Sequence, residues 1–367
     1  MNLKHILTVV FLTSGLAAYS QNITVGTCNM PDDGVYQGEL FKGKPWGQGK
    51  TTYPNGDYHV GKYEKGKRNG YGVYQFSDGE KYEGDWLQNH QHGNGTYYFK
   101  NNNRYTGLWF RDFQQGHGTM YYYNGDIYVG DWKEDKREGM GTYTYSDGTQ
   151  YHGTWVNDQK TGYGKFTWPD GSYYEGEWKA NKMSGEGTYH YGTGDEYTGE
   201  WLEGRQHGKG IFMQAGGDKY EGSFLNGERN GNGFTTFANG DKYSGSYKNG
   251  LQDGMGTYTY ANGNVYSGMW KDGKRDGKGK YSSNEGTYEG TWKAGLMDGE
   301  GVLKMTDGLK YKGGFSNGLK HGHGIMEDKE GVRYEGTFSN DMKNGEFHVR
   351  DGSHTKKVIY VNDREQN

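Results

Sequence analysis

The stretch YVGDWKEDKREGMGTYTYSDG, residues 128–148, decides the fold. Tyr128, Gly130 and Trp132 alternate with Val129 and Asp131, and Gly139, Gly141, Tyr143 and Tyr145 alternate with Met140, Thr142 and Thr144. A period of two is the mark of a strand with one buried face. The polar run Lys133–Glu138 lies between the two alternating segments, so the stretch predicts a β-hairpin.

Moving outward by 23 residues in either direction recovers the same pattern. The starts fall at Tyr36, His59, Tyr82, Tyr105, Tyr128, Tyr151, Tyr174, Tyr197, Tyr220, Tyr243 and Tyr266, and after one step of 22 at Tyr288, Tyr311 and Tyr334, which makes fourteen units. Counting from each start, positions 3 and 12 are glycine in all fourteen. Position 14 is glycine except at Phe347, and position 5 is aromatic except at Leu40. A fixed period of this size belongs to an array in which each unit buries its face on its neighbours.

Most units end in Asn-Gly or Asp-Gly at positions 20 and 21, as in Asn124-Gly125 and Asp147-Gly148. A two-residue turn is the usual reading of such pairs. Side-chain parity excludes it here. Only a three-residue link, a type I turn closed by a glycine in the left-handed conformation, keeps positions 16 and 18 on the same face as the next position 1. With that register position 3 faces 14, position 1 faces 16, and position 5 faces 12 both within the hairpin and across the link. The glycines then form a floor on which rings pack, each burying about 150–250 Å² without a second sheet. The expected fold is all-β, an elongated twisted single-sheet array of consecutive antiparallel hairpins, of order 130 Å long at about 4.8 Å per strand. Its end strands carry open edges that invite pairing. Leu40 and Phe347 mark capping units.

Composition agrees with a packed polar array and sets limits on function. Of 367 residues 68 are glycine and 35 tyrosine, and only 31% are apolar, too few for an ordinary aliphatic core. The aromatic share of 16% together with the repeat opposes disorder. The formal charge of -4 comes from interleaved acids and bases, which excludes a nucleic-acid footprint. Lys4, the apolar run ILTVVFLTSGLAA and small residues Ala18 and Ser20 read as a cleaved secretory signal over 1–20. The expected organisation is therefore signal 1–20, lead-in 21–35, array 36–351 and tail 352–367. The expected destination is periplasm, cell surface or extracellular space. Cys28 is the single cysteine, read as a spare thiol near a loose N-terminus, and NIT at Asn22 fits a glycosylation acceptor.

These units resemble the MORN (membrane occupation and recognition nexus) repeat, whose Tyr-x-Gly-x-Trp, Gly and Gly-x-Gly pattern stands in full at 128–148 except for Asp135 at the position-8 glycine. The resemblance spans about 36–351. It implies an array of hairpins working in protein–protein contacts, with membrane or phosphoinositide association in some members and self-association in others. Some relatives carry a kinase or methyltransferase domain beside the repeats, and this chain offers no stretch for one outside the repeats.

No residue set outside the repeat pattern has the form of a catalytic constellation, so no catalytic, cofactor or metal residue is assigned. His90 and His92 share a loop with no further ligand near them in sequence, and read as solvated. Two surfaces are candidates for binding. Basic clusters at Lys65, Lys67 and Arg68, at Lys133, Lys136 and Arg137, and at Lys271, Lys274 and Arg275 form a rim suited to phosphates or an anionic membrane surface. Tyr71, Tyr98, Tyr121 and Tyr163 are candidate exposed aromatics for a glycan or peptide. The leading expectation is a non-enzymatic exported scaffold that binds a protein partner or a second copy of itself. An anionic-lipid binder and a glycan binder are the alternatives.

Overall fold

The computed structural model describes residues 23–366, so the expected signal at 1–20 and Asn22 lie outside the described residues. Every regular element among the described residues is a β-strand. The chain divides after Pro169 into two compact units. The first holds the strands from Ile23–Asn29 to Gln159–Thr167, and the second those from Tyr173–Lys179 to Arg364–Gln366. Within each unit every strand pairs antiparallel with the next one in sequence, as the hairpin reading requires.

The links have the geometry that parity demands. The Tyr122 N–H donates to the Asp126 carbonyl at 2.9 Å, and the Gly125 N–H donates to the Tyr122 carbonyl at 3.0 Å. Gly125 has φ +92°, the left-handed residue that closes the bulge. The Asn124 side-chain oxygen accepts the Asp126 N–H at 3.1 Å, so position 20 is a short acceptor for a local reason.

The hairpins differ from expectation in one respect. Their turns have two central residues, not six: Lys133 pairs with Lys136, while Glu134 and Asp135 take φ of 49° and 64°. Two positive φ values define the type I′ turn that matches strand twist. Trp132 then faces Arg137, not Gly139, and the register shifts before Gly130 meets Gly141. Position 5 faces position 12 only across the link, as Trp155 faces Gly139. The extra residues of the second strand form a bulge at Gly139, whose φ is +69°. A Cβ there would lie 3.0 Å from an Asp131 carboxylate oxygen. The position-12 glycine is thus a backbone hinge facing the position-4 side chain, and not part of the floor beneath the rings.

The floor consists of positions 3 and 14. Tyr128 is fully buried, and a Cβ on Gly141 would come within 2.3 Å of its hydroxyl oxygen. The hydroxyl donates to the Asp131 carbonyl at 3.1 Å. The ring meets Trp132 edge to face at 5.2 Å and Trp155 of the following hairpin at 5.5 Å. In the second unit Tyr197 meets Trp201 at 5.2 Å and Phe224 at 4.9 Å in the same way. Each such contact contributes about 0.5–1.5 kcal/mol beyond area burial. The chain thereby builds a core on one face of a sheet.

The sheet continues past the repeats at both termini. Residues Ile23–Asn29 pair with Val35–Phe41, placing Cys28 opposite Tyr36. Cys28 packs half-buried against the Tyr36, Leu40 and Tyr63 cluster in an ordered strand rather than a loose end, and burial pushes its thiol pKa up. The second strand of the last repeat, Met342–Asp351, pairs with His354–Val361, so the expected tail also forms strand.

Candidate interaction surfaces

The structure separates each basic cluster into one inward arginine and two outward lysines. The Arg137 guanidinium lies over the Trp155 ring at 4.3 Å. It donates to an Asp158 carboxylate oxygen at 3.0 Å and to the Asp158 carbonyl at 3.1 Å. Arg68 covers Trp86 at 4.3 Å and donates to the Asn89 carbonyl at 3.0 Å. Arg275 covers Trp292 at 4.2 Å and donates to the Gly295 carbonyl at 2.8 Å. Position 10 lies between the hairpin turn and the bulge and faces the aromatic row, where a planar guanidinium stacks and forks to the next turn. The arginines clamp one hairpin to the next. Lys65, Lys67, Lys133, Lys136, Lys271 and Lys274 stand exposed.

The outer tyrosines do not gather into one patch. Tyr98 and Tyr121 are neighbours across Arg104, which pairs with both, and Lys81 pairs with Tyr98 from the other side. Lys81 lies over the Tyr98 ring and Arg104 over the Tyr121 ring, each at 4.2 Å. This makes one basic-aromatic row. Tyr71 is exposed and lines the same depression as Tyr98; its hydroxyl donates to one Glu83 oxygen at 2.7 Å, a bond that holds its pKa up, while Lys81 donates to the other at 3.1 Å. Tyr163 is exposed and lies apart from the row.

His90 and His92 do not converge on a shared ligand. His90 meets an Asp112 carboxylate oxygen at 2.5 Å, whereas His92 lies against the Phe110 ring. No group of three metal-ligating side chains occurs among the described residues.

Three features of the ring row escaped the sequence reading. A carboxylate at position 22 joins consecutive units: Asp126 accepts the Tyr143 hydroxyl at 2.7 Å and the Ser146 N–H at 2.8 Å. Asp57 with Tyr74 and Asp241 with Tyr258 repeat the arrangement at 3.0 and 2.7 Å. Second, where position 16 is threonine, the next position 5 is tyrosine and the two hydroxyls bond, Thr51 to Tyr63 at 2.6 Å and Thr235 to Tyr247 at 2.5 Å. Third, His59 replaces the buried tyrosine of its unit. Its Nδ1 meets the Tyr63 hydroxyl at 2.7 Å, and its Nε2 has no partner among the described residues. Burial, with the charge of Arg68, depresses its pKa to about 3. The interrupted aromatic pattern at positions 1 and 16 was the available signal.

Fourteen consecutive stretches, from 36–58 to 334–346, match the MORN repeat model. The chain belongs to the MORN repeat family. Among solved structures, the MORN array is similar to the SAS-4 TCP domain of Drosophila melanogaster in complex with a proline-rich motif of Ana2. The identity is 14%, covering 66% of this chain and 99% of that one, with a TM-score of 0.24. It is also similar to the TCP10 domain of Danio rerio CPAP at 12% identity, covering 66% and 93%, with a TM-score of 0.22. No curated protein matches the chain.

Proposed function

We propose that this MORN-repeat chain is a non-enzymatic interaction scaffold, exported across a membrane, that binds a protein partner or a second copy of itself. The observation that carries this reading is the occupation of residues 36–346 by one binding-type repeat. The turns, carboxylates and arginines of that repeat are used to hold hairpin to hairpin. The outer sheet face and the terminal strands are what the array has to offer a partner. Lys4 and the apolar run behind it support export.

The exposed lysines at positions 65, 67, 133, 136, 271 and 274 favour a second reading, attachment to an anionic membrane surface. Flotation of residues 21–367 with neutral and anionic liposomes, at low and at physiological salt, separates the two. Flotation with anionic vesicles that survives physiological salt and is lost in Lys133→Glu with Lys136→Glu puts the membrane reading first. Absence of flotation, followed by a saturable partner in crosslinked native envelopes or by self-association in sedimentation, supports the scaffold. Reproducible turnover by the purified chain sinks both. The Tyr98, Arg104 and Tyr121 row is the place for a glycan, and Tyr98→Ala with Tyr121→Ala should remove sugar binding while the fold persists.

A further inference from the structure

One unit lacks the ring that its surroundings are built to hold. At Tyr74 and Tyr143 the position-16 tyrosine has the same two polar neighbours, and Tyr258 and Tyr281 each keep one of them. A carboxylate 17 residues earlier accepts its hydroxyl, as in Asp57 and Tyr74, Asp126 and Tyr143, and Asp241 and Tyr258. Where the residue six positions earlier is arginine, the guanidinium lies over the ring, at 5.0 Å for Arg68 over Tyr74, 5.4 Å for Arg137 over Tyr143 and 5.9 Å for Arg275 over Tyr281.

At Thr235 both partners are present and the phenol is not. Asp218 stands 17 residues earlier and accepts the Ala238 N–H at 2.9 Å through Oδ1, as Asp126 accepts that of Ser146. No donor among the described residues reaches its Oδ2. Arg229 stands six residues earlier, its guanidinium 5.5 Å from the Tyr220 ring centre and 5.6 Å from that of Tyr247. Unlike Arg68, Arg137 and Arg275, it finds no hydrogen-bond acceptor among the described residues. A cavity of about 300 Å³ opens here, lined by Asp218, Arg229, Thr235, Phe212, Gln214 and Phe224 among others. That is at the lower end of the volumes that hold ligands. Gln214 widens it, since Tyr122 and Tyr145 place a ring at the corresponding position of their units. At the other threonine, Thr51, position 10 is Pro45 and no earlier repeat supplies a carboxylate.

We infer that this notch binds a phenol ring supplied in trans, the side chain of a tyrosine on a partner polypeptide, with its hydroxyl donating to Asp218 and its face beneath Arg229. The inference rests on the scaffold reading for the polypeptide source. The ring chemistry is independent of that reading, and a free phenol would satisfy the same groups.

The test follows the Thr235 methyl and Arg229 Nε–H signals of the full chain by NMR. The probes are p-cresol, toluene, the capped tripeptide Gly-Tyr-Gly and its Gly-Phe-Gly analogue. The expected result is saturable shifts with p-cresol and the tyrosine tripeptide, and binding about tenfold weaker or more without the hydroxyl. Asp218→Asn should erase that preference. Thr235→Tyr combined with Tyr247→Trp rebuilds the Tyr–Trp pair of the neighbouring units, as in Tyr281 and Trp292, and should abolish binding. No saturable shift, or equal shifts in the plugged variant, overturns the site. Saturation by p-cresol with none by the tripeptide overturns the polypeptide source. A partner that still binds the plugged variant overturns the notch as its docking point while leaving the scaffold reading intact.

Discussion

The sheet around Tyr128 and the sheet around Phe347 solve the same packing problem in opposite ways. At Tyr128 the ring belongs to position 1 and lies over Gly130 and Gly141. At the C-terminal end Phe347 and Val358 face each other where two glycines would stand, and Lys356 occupies the place of the tyrosine. The Phe347 ring is fully buried and meets Phe338 at 5.2 Å and Tyr360 at 5.4 Å, edge to face, the contacts a position-1 tyrosine makes elsewhere. Tyr334, the nominal owner of that place, is only half-buried, beneath Lys343. Each lane accommodates one ring per repeat. Glycine is required at positions 3 and 14 where that ring arrives from position 1; once position 14 brings its own ring, Gly336 at position 3 must still lack a Cβ, which would come within 2.6 Å of the Phe347 ring.

The strongest way to break this comparison is to put both rings in one repeat. Gly141→Phe beside Tyr128 should cost at least about 3 kcal/mol, because two rings compete for one volume. Hydrogen exchange should show the flanking repeats opening. Tyr128→Ala added to it should recover part of the loss, and a single variant as protected as the wild type would refute the one-ring rule. Removing the substitute ring is the complementary change. Phe347→Gly should destabilise the terminal hairpins by about 3–5 kcal/mol, with lost protection confined to the neighbourhood of 334–361.

His59 is a third version of the row and sharpens the comparison through pH. Its folded pKa of about 3 lies below the ordinary 6.5, so as pH falls the unfolded chain takes up the proton first. Stability of the N-terminal repeats should be complete above about pH 6.5 and decline by about 1.4 kcal/mol per pH unit toward pH 3. Urea melts at a series of pH values test this slope, and His59→Tyr should flatten it. The smallest effect is expected at the rim of the row. Tyr143→Phe removes one of the bonds to Asp126 and should cost about 1 kcal/mol, because Ser146 and Asn124 still donate to that carboxylate. Burial alone would raise the Asp126 pKa, but the donors Tyr143, Ser146 and Asn124 outweigh it and hold the pKa low. Their contribution is present above the ordinary carboxylate range and is lost as pH falls through the lowered value.

Much of the array was legible before any coordinates. Period-two alternation located the strands, parity selected the three-residue links, and Tyr128 above Gly130 and Gly141 needed only ring size and strand spacing. The site was less legible. Arg137 and Lys136 are adjacent and equally basic in sequence, yet one stacks on Trp155 and the other points to solvent. That difference comes from the bulge at Gly139, which the eye reads as one more floor glycine. The notch at Thr235 was visible only as a missing aromatic.

The sequence alone determined what depends on neighbours one or two residues apart: which face each side chain takes, where the chain turns, and which positions must lack a Cβ. The tertiary structure decided what depends on residues about 20 apart meeting across a bulged register. There a long side chain chooses between water and the next hairpin, as Arg68, Arg137 and Arg275 do. There too Asp218, Arg229 and Thr235 come to line one notch, in which no phenol stands.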